Sequence, residues 1–287
     1  MHRLLAKVAL SLLMVTLSQH ALCASNERVA PLSFGVFPRW NAHIMVRDFT
    51  PLARILSDTL GREVRVETDK DFDSFMRRVY AGEFDVVYLN QLQYVQAHAV
   101  AGYVAIAKLC ESPACTIAAA IVVRNGSGVN QISDLRGKTV AFADRNAMVS
   151  YYLASATLRM AGLDPGQYHV IFTKNPPNAV FAVYNGAAQA AGVGSLVFSR
   201  PEILQRVDLK RLRVLAESQA IPQLPVAVRG DLDAQLTRRI LDVLLGLPQR
   251  KDGAAWLKKL NAERFEVADD SEYAMVKSIV ELADVDH

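Results

Sequence analysis

Short apolar runs alternate along the chain with stretches whose apolar positions recur every three to four residues. That is the pattern of strands separated by helices, and it predicts an α/β fold. Residues 32–37 (LSFGVF) read as a strand. Phe49, Leu52, Ala53, Leu56 and Leu60 then fall at helical spacing, with Gly61 as the stop and Pro51 expected in the first turn or at a kink. Residues 63–68 alternate as a strand. Phe72, Phe75, Met76 and Val79 form a second helical stripe, and 85–89 (DVVYL) is a buried strand. A helix over 92–101 and a strand over 104–109 follow. The continuous apolar run 117–124 (IAAAIVVR) predicts one strand, closed by the turn Asn125-Gly126-Ser127-Gly128.

The pattern then restarts. A helical turn at 133–135 precedes strands at 139–143, 168–173 and 188–193, separated by helices at 148–161 and 178–185. Strands at 212–218 and 226–229 lead to three closing helices at 233–247, 253–260 and 271–283. Two consecutive half-patterns predict two lobes, each an α/β layer with a mixed, largely parallel sheet. Lobe 1 would take 30–119 plus 218–287 and lobe 2 would take 120–217, with hinge crossings near 119–124 and 217–225. Small ligands bind in such folds in the crevice where strand ends and helix starts converge.

The first residues modify this picture. His2, Arg3 and Lys7 precede the short apolar stretch 8–17, and Ala21-Leu22-Cys23-Ala24 supplies small residues for cleavage. This is the layout of a secretory signal peptide over 1–24, and it predicts export to the periplasm. Cleavage after Ala24 leaves 263 of the 287 residues and lowers the net charge from +3 to +1. Charges of both signs are scattered, which argues against a nucleic-acid partner. Export leaves Cys110 and Cys115 in a short Pro-containing spacer, either as a local disulfide or as two thiols open to a soft ligand.

Catalytic constellations are absent from the pattern. His43, His98 and His169 are scattered, and no pair has metal-ligand spacing. Gly137-Lys138-Thr139 lacks the upstream glycine of a P-loop, because that position is Ile132. No cofactor, no metal and no enzymatic role is therefore expected. Four loops instead follow strands and precede helices. They are 37–41 (FPRWN), Asn90-Gln91, 144–151 and Lys174-Asn175. Backbone N–H groups at helix starts attract anions, so the four together predict one shared cleft.

Several stretches resemble the PhnD-like family of phosphate, phosphite and phosphonate binding proteins of ABC transporters. They are 34–38 (FGVFP), 82–89 (GEFDVVYL) with Tyr94 and Ala97-His98, 121–128 (IVVRNGSG), 134–142 (DLRGKTVAF), 161–165 (AGLDP), 182–186 (AVYNG) and Ile221-Pro222. The resemblance implies a monomeric, two-lobed (type II) periplasmic binding protein that closes over a small oxyanion-like ligand and hands it to an ABC permease. Some relatives instead serve as sensors of arsenite or another oxyanion that signal to a histidine kinase. Enzymes on the same bilobal fold form a third class.

One departure stands out. The family's anion-binding helix start reads Ser-Thr-Ser-Gly before a tyrosine, whereas here Ala147-Met148-Val149-Ser150 precede Tyr151. The family's cleft histidine falls near Pro176, and its aspartate near Ser195. The resulting pocket is less polar. Its expected ligand-binding residues are Trp40, Asn90, Gln91, Tyr94, Ala147, Met148, Val149, Ser150, Tyr151, Asn175 and Ser195, with Cys110 and Cys115 near its mouth.

Overall fold

The computed structural model describes residues 30–111 and 114–283. The signal-peptide reading, with Cys23, lies outside the described residues. Among the described residues, no helix is long and apolar enough to cross a membrane.

Two mixed sheets organise the chain from Pro31 onward. The first has six strands in the order β13-β4-β12-β3-β1-β2. Its strands are β1 (Leu32–Val36), β2 (Val64–Glu67), β3 (Val86–Tyr88), β4 (Val104–Cys110), β12 (Pro225–Val228) and β13 (Arg264–Val267). The second has five strands in the order β10-β6-β9-β7-β8. These are β6 (Ala119–Arg124), β7 (Thr139–Phe142), β8 (His169–Phe172), β9 (Ala190–Gly194) and β10 (Leu212–Glu217).

Between the sheets the chain crosses twice. It goes out through β5 (Thr116–Ile117) and returns through β11 (Ile221–Pro222), and the two short strands pair antiparallel. The expected single strand over 117–124 is thus two strands, interrupted at Ala118. Only its second part joins the five-stranded sheet; the first forms the crossover ribbon.

The parallel share is smaller than the alternating pattern suggests. In the two large sheets four strand pairs are parallel and five antiparallel. The antiparallel pairs come from strands on either side of the crossings and from the C-terminal return. Strand β13 was not legible, because Arg264 and Glu266 carry charge at alternate positions of a short edge strand.

The first helix, α1 (Ala42–Leu60), begins earlier than its apolar stripe. Asn41 caps it by accepting from the His43 N–H at 2.9 Å, and Pro51 lies mid-helix rather than in the first turn. Next come α2 (Phe72–Tyr80) and α3 (Gln91–Ala101). Asn90 and Gln93 close a reciprocal capping box at the start of α3, which satisfies two otherwise orphaned N–H groups.

The predicted helix over 148–161 opens as a π-helix at Met148–Leu153 and continues as α4 (Ala154–Met160). Helix α5 (Pro176–Tyr184) carries prolines in its first turn. The core of the six-stranded side is aromatic, with Phe49 in contact with Phe34, Tyr88 and Trp256. The core of the five-stranded side combines small residues such as Ala141, Ala179, Ala188, Ala190 and Ala191, all fully buried, with an aromatic group around Phe142 that includes Tyr151 and Tyr168.

Candidate functional site

The strand ends of both sheets open onto one cleft, with about 940 Å³ of space including its mouth. Much of its wall is apolar: Phe37, Trp40, Phe72, Ile117, Met148, Val149, Leu196, Val197 and Leu224. Its charged lining residues are Arg39, Lys174 and Arg200 against Glu111 and Asp144.

The six-stranded side supplies polar side chains, each held by another polar group. After β1, the 37–41 loop brings in Phe37, Arg39 and Trp40. After β4, Glu111 sits between two guanidinium groups, Arg39 at 3.3 Å and Arg200 at 2.6 Å. Its side chain is only 6% exposed, so this pairing is screened little by water. Burial works to lower the Arg39 pKa, but the Glu111 carboxylate more than offsets it, and the net shift is upward. Burial, followed by the same carboxylate, pushes the nearby Tyr88 phenol up, which keeps it protonated.

After β3 come Asn90 and Gln91. The Asn90 amide reaches across the cleft and donates to the Asn146 carbonyl at 3.1 Å, tying the two sides together. Gln91 is fully buried and donates from Nε2 to the Pro222 carbonyl at 2.7 Å. Its Oε1 is buried and has no donor among the described residues. Such an unmet acceptor costs roughly 1–3 kcal/mol until something donates to it.

The five-stranded side presents backbone. After β7, Asp144 accepts from the Asn146 N–H at 2.8 Å and turns the chain into the π-helix. The first helical bond runs from Tyr151 N–H to the Ala147 carbonyl. The N–H groups of Met148, Val149 and Ser150 therefore have no acceptor among the described residues, and all three residues line the cleft. A set of N–H groups without acceptors at a helix start attracts an anion.

Ser150 does not add its hydroxyl to that set. It donates to the Gly192 carbonyl at 2.7 Å and receives the Ala143 N–H at 2.9 Å. After β8, Lys174 lies exposed in the left-handed region (φ 74°) with no ion pair among the described residues. Helix α5 presents prolines where its first N–H groups would be, so it contributes little to anion binding.

Of the sequence-predicted residues, Trp40, Asn90, Gln91, Ala147, Met148, Val149 and Ser150 line the cleft. Four others lie elsewhere. Tyr94 is buried under the six-stranded sheet, where its hydroxyl accepts from the Ala105 N–H and its ring meets Tyr273. Tyr151 is in an aromatic cluster with Phe142 and Phe172. Asn175 caps α5 by accepting from the Asn178 N–H. Ser195 is not part of the lining; its N–H donates to the Ala118 carbonyl.

Glu111, Arg200 and Gln223 went unsuggested by the sequence. Glu111 had one usable signal, its place inside the short cysteine loop. Arg200 and Gln223 stand beside Pro201 and Pro222, which mark chain turns but carry no sign of a ligand site.

Cys110 and Cys115 form a disulfide. Among the described residues, the one group of side chains spaced for a metal ion is these two sulfurs with Glu266, and the disulfide occupies both sulfurs. Thiol ligation is not open to this oxidised form. His98 is structural, as its helical setting suggests, with Nδ1 2.8 Å from the Tyr103 carbonyl.

Comparison with known proteins agrees with this fold. A stretch of 148 residues is 32% identical to the tetrathionate sensor histidine kinase TtrS of Salmonella typhimurium, covering 49% of this chain but only 25% of that protein. The structure of PhnD1 from Prochlorococcus marinus in complex with methylphosphonate superposes with a TM-score of 0.76 at 19% identity, covering 88% of this chain and 97% of that one. A binding protein component of a Pseudomonas aeruginosa ABC phosphonate transporter gives a TM-score of 0.72 at 16% identity, covering 88% and 86%. At these identities both likenesses speak to the fold. The family model of the periplasmic substrate-binding protein of phosphonate ABC transporters matches residues 34–273, and the chain belongs to that family of solute-binding proteins.

Proposed function

We propose that this chain is an exported binding protein that closes two lobes, 30–119 plus 218–287 and 120–217, over a small oxyanion-like ligand and delivers it to an ABC permease. The signal peptide over 1–24 belongs to this proposal. The observation that carries it is the row of unclaimed N–H groups at Met148, Val149 and Ser150 in a cleft with Arg39, Lys174 and Arg200. Backbone donors at a helix start replace the hydroxyls that the family typically places there. The apolar walls suit a ligand with a compact apolar body beside its charged group.

A sensory role is the second reading. It is favoured by the identity shared with part of a tetrathionate sensor histidine kinase, so a histidine kinase is the alternative partner. A thermal-shift series with methylphosphonate, inorganic phosphate, arsenite and tetrathionate tests both. A true ligand at one hundred times its Kd stabilises the protein by about 2.7 kcal/mol. A response to tetrathionate alone favours sensing, and no response to any of them removes the oxyanion reading.

A further inference from the structure

The cleft's free acceptors and its charge balance limit what kind of anion fits. Gln91 donates to the Pro222 carbonyl on β11, and that carbonyl fixes which way the amide faces. Turning it over would set two oxygens against each other, so Oε1 is the atom left without a partner. Gln223 repeats the arrangement from the next turn of chain. It is 1% exposed, lines the cleft, and donates from Nε2 to the Thr116 carbonyl on β5. No donor among the described residues reaches its Oε1. Each crossing strand thus holds one glutamine amide by its N–H side.

Asp144 adds a carboxylate to the lining that has no ion pair among the described residues. Three cationic side chains face two carboxylates there, which leaves one net positive charge. A doubly charged anion would be undercompensated, and with no proton to give it would leave Gln91 unmet.

We propose that the cleft selects a singly charged oxyanion that still carries a hydrogen-bond donor, and that Gln91 is the residue that reads the donor. The inference rests on the oxyanion-binding reading above and specifies its ligand class. An acid O–H, a hydroxyl or an N–H beside the charged group meets the requirement.

Calorimetric titration with two small tetrahedral probes tests it. Methylphosphonate below its second ionisation is a monoanion with one O–H, and above it is a dianion with none. Methanesulfonate is a monoanion without a donor at both pH values, so it reports any change in the protein itself. The wild-type protein should bind the methylphosphonate monoanion about tenfold or more tighter than either donor-less anion. In Gln91→Met the gap between the methylphosphonate monoanion and the donor-less anions should fall below about threefold. If that variant fails to fold, the wild-type comparison decides alone. Equal affinity for all three, or a preference for the dianion, overturns the inference and leaves the oxyanion reading standing. No binding of either probe at either pH overturns both.

Discussion

The two walls of the cleft are built on opposite plans. The six-stranded side rests on a core of large aromatic rings and presents side chains, each held by another group: Arg39 by Glu111, Asn90 by its capping box, Gln91 by Pro222. The five-stranded side packs small residues such as Ala141 and Ala191 together with the rings of Phe142, Tyr151 and Tyr168, and the helix start it carries presents main-chain N–H groups. A side chain can be aimed by a hydrogen bond from anywhere within reach. A backbone N–H can be aimed only by placing the whole helix, so the residues behind that helix set the geometry. Gly192 in β9 is one such residue. Where a side chain would start, Phe142 and the Ala154 methyl already stand at 2.6 and 2.7 Å. The helix that begins at Met148 lies this close to the sheet because β9 reads Ala-Ala-Gly-Val-Gly.

The largest expected effect therefore lies behind the backbone wall. Gly192→Val overfills a closed space and should cost about 3 kcal/mol in chemical denaturation, with ligand affinity lost in whatever fraction stays folded. Unchanged stability would mean the helix is not placed by this contact.

On the other wall, replacing both Cys110 and Cys115 by Ser opens a short loop whose closure is worth roughly 2 kcal/mol. It also loosens Glu111. The melting temperature should fall, and reduction of the wild-type protein should reproduce the fall.

Ser150→Ala leaves the Ala143 N–H and the Gly192 carbonyl short of a partner and should cost roughly 1–2 kcal/mol. Its effect on binding should come through helix position. A variant of normal stability that has lost affinity would show the hydroxyl touching the ligand instead.

The smallest effect is electrostatic and distant from the cleft. Burial works to raise the Asp48 pKa, but Arg47 and Lys259 outweigh it and hold the carboxyl below its ordinary 3.8. A carboxyl lowered in the folded state stabilises fully above its unfolded pKa and loses that contribution as pH falls through the folded value. Asp48→Asn should thus cost under about 1 kcal/mol near neutral pH and nothing in strong acid. Denaturation midpoints of both proteins across that range check the sign.

Much of this architecture is legible along the chain, because a strand or helix with one buried face writes its period into the sequence. The stripe Phe49, Leu52, Leu56 and Leu60 located α1, and the run DVVYL located β3. Bounds drifted where local signals conflict: Pro51 suggested a helix start, yet its neighbours' packing carries α1 through it. Among the predicted site residues, Trp40, Asn90, Gln91 and those at 147–150 came to the cleft, whereas Ser195, directly after β9, and Asn175 did not. Tyr94 and Tyr151 lie in the core: one residue past Ser150 turns the Tyr151 side chain by about 100°, and Tyr94 sits about one turn further along its helix than Gln91. The family's Ser-Thr-Ser-Gly start and its replacement by Ala147-Met148-Val149-Ser150 were also legible, but the role of Ser150 was not.

By itself the sequence determined the alternation of strands and helices, the two half-patterns, the family, and the loss of hydroxyls at the helix start. These are local properties, set by the spacing of apolar residues and the identity of single positions. Only the tertiary structure decided that Glu111 lies between Arg39 and Arg200, that the Ser150 hydroxyl is spent on β9, and that Gln91 keeps an unmet acceptor. Each depends on groups brought together from distant parts of the chain, and hydrogen bonds and ion pairs act over a few ångströms of space, whatever the separation in sequence.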